Sequence, residues 1–383
     1  MGEDRAGRGA LTPAGVRSGA RGRVGRIALV VAVCGVAAFA ILTAQAFLVP
    51  PRYLPHAAAL PDSFEVFLRQ RLATSAAAGA RPGTEERLVR HAPGRTREVV
   101  LYLHGFGASR GEGEWVADRV AAARGANLYY LRLPGHGTSP DDHASHGFEE
   151  YLDTAEDAFR MTETLGDRVI LMGTSTGGLI ATWLAARHPE RVRALVLASP
   201  LYAYRDPMSV LLTVPGGMRL IRAMYGPMRD TRGTDPERRN LPGRERVWMM
   251  NQRYDALAHL DHLRRYAARP SWYRTVSAPT LMFDYYRDQE HQDPTASIPA
   301  MRAAFEQLGR GTRRSPLDRR VDVADGAHVL LSGYVRGDKA LVMRETLAFL
   351  ERAAKAEGDS ARIPPQESQR KKSPGLPTLP NSR

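Results

Sequence analysis

A serine set between glycines is the first group in this chain that could do chemistry. Gly173-Thr174-Ser175-Thr176-Gly177 follows the apolar run Val169-Ile170-Leu171 and precedes Leu179-Ile180-Ala181-Thr182-Trp183-Leu184. The pattern is strand, G-x-S-x-G, helix. Such a turn lifts the serine hydroxyl above the sheet edge, and its glycines are needed where a Cβ would clash across the bend. A hydroxyl is a weak nucleophile, so Ser175 needs a base, an acid to orient that base, and donors for a developing oxyanion. His328 follows the segment Arg320-Val-Asp-Val-Ala-Asp-Gly-Ala. Asp284, Asp288 and Asp293 lie in or after the run Thr280-Leu-Met-Phe. Upstream, Val99-Val-Leu-Tyr-Leu ends in His104-Gly105-Phe106-Gly107.

Together these segments resemble the α/β-hydrolases. Arg132-Leu-Pro-Gly-His136-Gly-Thr-Ser139 strengthens the likeness, with Arg132 where many relatives carry Asp, and resembles the monoacylglycerol lipase, carboxylesterase and lysophospholipase branch. The resemblance implies the chain order Ser, Asp, His and a triad of Ser175, Asp288 and His328. It also implies an oxyanion hole made by the N–H groups of Phe106 and Thr176. Asp284 sits within the strand, so its side chain is expected to point elsewhere. Asp293-Pro294 reads as the cap of the next helix. His104 and His136 are expected to shape loops. The pairs His143/His146 and His259/His262 have no cysteine or carboxylate cluster beside them and read as surface residues, not metal ligands. The expected activity is hydrolysis of a carboxylic ester, small or lipid-like, through an acyl-enzyme, with no metal or organic cofactor. An acyltransferase using the same triad and a non-catalytic binding protein are the alternatives.

The supporting elements follow from hydrophobic patterning. Strands centre on Val100, Tyr129, Ile170, Leu197, Leu281 and Val321. They are continuous apolar runs, as a parallel sheet covered on both faces requires. Helices are expected near 114–124, 148–165, 176–187, 299–308 and 338–354. This is an α/β fold with a mostly parallel sheet, spanning residues 97–351. Residues 201–277 are too long for a βα loop and read as a helical lid. Six of the twelve methionines fall there, which suits either a pliable acyl pocket or an ordinary packed cap. The lid arginines 229, 232, 238, 239, 244 and 246 could meet lipid phosphates but read first as a solvated surface. Residues 50–96 form an approach segment in which Asp62-Ser63 caps a short helix carrying Phe64, Phe67, Leu68 and Leu72.

The chain has 383 residues and a formal net charge of +13. Of its 54 basic residues only Lys339, Lys355, Lys371 and Lys372 are not arginine, a uniform bias rather than a localised patch. No nucleic-acid-binding pattern is visible, so none is expected as a partner. Cys34 alone cannot form an internal disulfide. Residues 27–49 carry no charge, and 1–26 place six arginines before them. A helix of that length spans about 34 Å, enough for a hydrocarbon core of about 30 Å. The expected arrangement is a cytoplasmic basic segment, a signal anchor, and a body on the extracytoplasmic side. Cleavage after Ala44-Gln45-Ala46 and secretion is the alternative. Residues 352–383 are rich in Pro, Ser and charge and read as a disordered basic tail.

Overall fold

The computed structural model describes residues 17–56 and 59–360. The strands are β1 (Arg87–Val89), β2 (Thr96–Leu103), β3 (Asn127–Tyr130), β4 (Gly166–Thr174), β5 (Val192–Ala198), β6 (Met228–Asp230), β7 (Asn251–Arg253), β8 (Thr280–Tyr285) and β9 (Arg319–Val323). The helices are α1 (Arg17–Leu48), α2 (Phe64–Ala77), α3 (Glu114–Arg124), α4 (Pro140–Ser145), α5 (Phe148–Met161), α6 (Thr176–Arg187), α7 (Gly217–Tyr225), α8 (Asp255–Ala267), α9 (Pro270–Tyr273), α10 (Ile298–Gln307) and α11 (Lys339–Ser360).

Seven strands form one sheet in the order β1-β3-β2-β4-β5-β8-β9. Only the edge strand β1 is antiparallel to its neighbour. Register brings Leu101 beside Leu171, Leu171 beside Leu195, and Phe283 beside Val321. The central strands are buried on both faces, which explains their unbroken apolar runs. One face packs on Phe67, Tyr151, Leu184, Leu263 and Phe305, from α2, α5, α6, α8 and α10. The other packs on Val116 and Val120 of α3 and Phe349 and Leu350 of α11. At the head of α2, the Ser63 hydroxyl accepts the Val66 N–H at 3.3 Å.

Between β5 and β8 lies the expected lid, built from α7, α8, α9 and the antiparallel ribbon of β6 and β7. That ribbon is absent from the sequence reading, because three residues per strand give no usable alternation. The expected tail starts too early: α11 runs on to Ser360. The rest of that tail, and residues 1–16, lie outside the described residues.

In α1, Arg26–Leu48 is long and apolar enough to cross a membrane, with none of it buried against the body. The chain is then fastened to the body at once. The Val49 carbonyl accepts Arg265 Nη2 at 2.8 Å. Asp153 accepts the Tyr53 hydroxyl at 2.6 Å and the His56 N–H at 3.0 Å. The Tyr53 ring stands edge-on to Trp183 and Tyr266.

Candidate active site

Ser175 occupies the one-residue turn between β4 and α6, with φ 55° and ψ −114°. A non-glycine residue at positive φ is strained, and here the surroundings enforce it. The Ser175 N–H is held by the Ala198 carbonyl at 2.9 Å, and the Ser175 carbonyl accepts the Leu201 N–H at 3.1 Å. Gly177 is forced by contact: a Cβ there would sit 1.9 Å from the Leu103 carbonyl oxygen. Thr176 opens α6, so its N–H belongs to the unsatisfied first turn and to the positive end of the helix. Phe106 lies in the loop after β2, and no described acceptor takes the N–H of either residue.

That loop is clamped from beneath. Glu112 is fully buried, and its Oε2 accepts the Gly105 N–H at 2.9 Å and the Tyr102 hydroxyl at 3.0 Å. Burial pushes the Glu112 carboxyl up to about 7, against the opposing pull of these two donors, His328 and Arg244. His104 does shape the loop. Its Nε2 accepts the Leu133 N–H at 3.1 Å and its Nδ1 contacts the Gly105 carbonyl at 2.9 Å. Burial holds its pKa down to about 4, so it is neutral. Arg132 is buried as well. It donates to the Ser75 hydroxyl at 2.7 Å and the His136 carbonyl at 3.0 Å, with Glu86 at 3.8 Å. It holds the Pro134–Thr138 turn in place of the expected Asp.

His328 meets a carboxylate other than the one expected. His328 Nδ1 lies 2.9 Å and 2.8 Å from the two carboxylate oxygens of Asp293. Asp293 is fully buried, and its Oδ1 also accepts the Thr295 and Ala296 N–H groups, both at 2.8 Å. Asp288 is half-exposed and turned away. It accepts the Glu290 and His291 N–H groups and the His291 ring nitrogen. The reason is a small excursion after β8. A bridge joins Tyr286 to Gln292, and the Asp293 N–H closes the base on the Tyr285 carbonyl at 2.9 Å. Asp288 rides at the tip and Asp293 returns to the sheet edge. Asp284 stays in β8, paired with Arg320 at 3.4 Å, as its strand position implied. Asp293 caps a local turn, but it is not the cap of the next helix. That role in α10 falls to Ser297, whose hydroxyl accepts the Ala300 N–H.

The Asp293 carboxylate stays ionised. Burial would raise its pKa, but the His328 charge and hydrogen bond outweigh that and lower it. His328 moves the other way. Burial would lower its pKa, and the Asp293 carboxylate outweighs that and raises it above the ordinary histidine value. With Nδ1 held by Asp293, Nε2 is the nitrogen left for Ser175. No hydrogen bond joins His328 to the Ser175 hydroxyl, but both line one cavity of about 420 Å³. Such a bond is often long until substrate binds. Gly105, Phe106 and Glu112 line the same cavity, and the lid supplies Met208, Leu211, Ile221, Leu257 and Leu260. Of the six lid methionines only Met208 reaches it; Met249 is buried in the packed cap, and Met224 and Met228 are exposed.

Two residue types escape the sequence reading. His143, expected on the surface, is fully buried, with its ring 4.5 Å from Phe106 and 4.6 Å from His136. Glu112 carries no signal, because its partners belong to β2 and the loop after it.

A family model described as serine aminopeptidase, S33, matches residues 94–283. The fold matches that of a metagenome-derived lipolytic enzyme (LipS and LipT), with a TM-score of 0.56 and 21% identity over 71% of this chain and 99% of that one. It also matches a monoacylglycerol lipase of Paleococcus ferrophilus, with a TM-score of 0.51 and 17% identity over 70% and 98%. The chain has the α/β-hydrolase fold. Among curated proteins it is 33% identical over 109 residues to a pimeloyl-[acyl-carrier protein] methyl ester esterase of Yersinia pseudotuberculosis, covering 28% of this chain and 39% of that one. The chain therefore spans well under half the length of that relative.

Proposed function

We propose that this α/β-hydrolase is a membrane-anchored serine hydrolase that cleaves carboxylic esters of small or lipid-like molecules. The observation that carries the reading is the His328–Asp293 pair, whose His328 lines the same cavity as Ser175. His328 takes the Ser175 proton as the hydroxyl attacks the ester carbonyl. Asp293 holds the imidazole tautomer and stabilises its cation. The Phe106 and Thr176 N–H groups stabilise the oxyanion, each worth about 10²–10³ in rate. His328 then protonates the departing alcohol, and water releases the acyl group by the reverse path.

The names of the similar proteins support ester chemistry, and the apolar lid wall suits an acyl chain. The uncharged stretch of α1 after six arginines supports an anchor with the body on the extracytoplasmic side. The test is an ester panel of graded acyl length, run with fluorophosphonate labelling. Hydrolysis and labelling that both vanish in Ser175→Ala support the reading. Labelled protein that cleaves an aminoacyl amide but no ester overturns it. Carbonate washing and N-terminal sequencing of the full-length chain test the anchor: a soluble protein beginning at Phe47 overturns it.

A further inference from the structure

The cavity holds two arginines that the mechanism does not use. Arg229 lies on β6 and Arg244 precedes Trp248, and both line the cavity with Ser175 and His328. Neither side chain makes an ion pair or a hydrogen bond with any described residue. Arg244 lies over the Trp248 ring at 5.2 Å, with its Nε buried and without an acceptor. Arg269 shares this pattern, over the Tyr266 and Trp272 rings, but lies outside the cavity; three other arginines have acceptors. Arg81 donates to the carbonyls of Gly137, Glu245 and Trp248. Arg132 has Ser75, the His136 carbonyl and Glu86. Arg265 has the Val49 carbonyl.

The two stand close to the reacting groups. Arg229 is the register partner of Gln252 on β7. The Gln252 side chain lies against the oxyanion loop, where a Cβ on Gly107 would fall 2.0 Å from its Nε2. The charged and titratable groups near Arg229 are Tyr204, Tyr254 and His143. Those near Arg244 are Asp235, Glu112 and His328. Burial lowers the pKa of both arginines, so holding their charge in the cavity is costly. A guanidinium partly withdrawn from water and without a direct hydrogen-bond acceptor is stabilised by an anion that comes to it. Its planar fork matches a carboxylate or a phosphate. Leu211, Ile221 and Leu257 give the same cavity an apolar wall.

We propose that Arg229 and Arg244 form an anion subsite, and that the substrate is an ester bearing a carboxylate or phosphate separated from the scissile carbonyl by an alkyl stretch. This rests on the ester-hydrolase reading. The test measures binding by calorimetry to the full-length Ser175→Ala protein in nanodiscs, so it needs no turnover. The probes are monomethyl adipate, methyl 6-(phosphonooxy)hexanoate and neutral dimethyl adipate. At least one anion should bind about tenfold or more tighter than the diester. The tighter of the two identifies the anion. Arg229→Gln and Arg244→Gln should each remove about tenfold of that preference, and Arg229→Lys should keep part of it, with unchanged melting temperatures. Equal binding of all three probes, or an anion preference that survives both Gln variants, overturns the proposal. Ester hydrolysis by the unmodified chain without an anion preference would sink the subsite alone. No hydrolysis of any ester would sink the reading beneath it.

Discussion

Ser175, which lines the cavity, and Asp293, buried behind His328, reach their places along very different paths. Ser175 stands between the last residue of β4 and the first of α6, and Gly177 packs against the Leu103 carbonyl, so the turn has no freedom. Asp293 comes well after Tyr285, at the foot of an excursion closed by the Tyr286–Gln292 bridge, the Asp293 N–H to Tyr285 bond and the His291 carbonyl, which accepts the Arg287 and Asp288 N–H groups. The first position is dictated by local covalent geometry and sterics. The second depends on where the chain returns to the sheet. A short turn writes itself into the sequence as glycines, whereas a returning loop leaves only a choice among carboxylates.

The comparison is broken or sharpened by substitution, beginning with the turn. Ser175→Ala should lower ester turnover by about 10⁴–10⁶, leaving what the oxyanion hole and binding supply. Initial rates on purified protein check this, and retention of more than a few per cent removes Ser175 as nucleophile. Asp293→Asn should lower turnover by about 10⁴, while Asp288→Asn should change it less than about threefold. If the two variants exchange behaviour, the excursion does not follow the path described. Gly177→Ala should destabilise the fold by about 3 kcal/mol or more, because the clash is with backbone that cannot yield. A denaturant midpoint unchanged from the parent would show that the turn is looser than its contacts imply.

The smallest effect lies in the pH profile. His328 must be neutral to accept the Ser175 proton, so activity rises as pH passes upward through its pKa. Asp293 raises that pKa, and the acid limb of kcat/KM should lie above the ordinary histidine value of about 6.5. Asp293→Asn removes the largest influence that raises this pKa, so the limb of the residual activity should move toward acid. A limb that stays in place means another group sets it. Glu112, pushed to about 7, is then the group to replace with Gln.

Much of the fold is legible in the sequence because its signals are local. The buried strands are unbroken apolar runs, and the helices that cover them keep helical spacing. Ser175, Phe106, Thr176 and His328 stand out in the sequence because each lies shortly after an apolar strand that the sequence marks. Asp288 follows β8 in the same way, yet the carboxylate against His328 belongs to Asp293, which returns to the sheet only through tertiary contacts. Glu112, Arg132 and His143 are opaque for a related reason. Each is polar and buried: Glu112 and Arg132 are held by hydrogen bonds from other elements, and His143 packs against the Phe106 and His136 rings with no partner for either ring nitrogen.

The fastening of residues 49–56 makes α1 a mount rather than a leash. A flexible linker would let the body swing and turn above a bilayer. Here Val49, Tyr53 and His56 are tied to Asp153, Trp183 and Arg265, on α5, α6 and α8, within a few residues of the end of α1. α8 also carries Leu257 and Leu260 of the cavity wall. With α1 in a membrane, the body would stand at a set height and heading, with one wall of its cavity built on the helix bolted to the post.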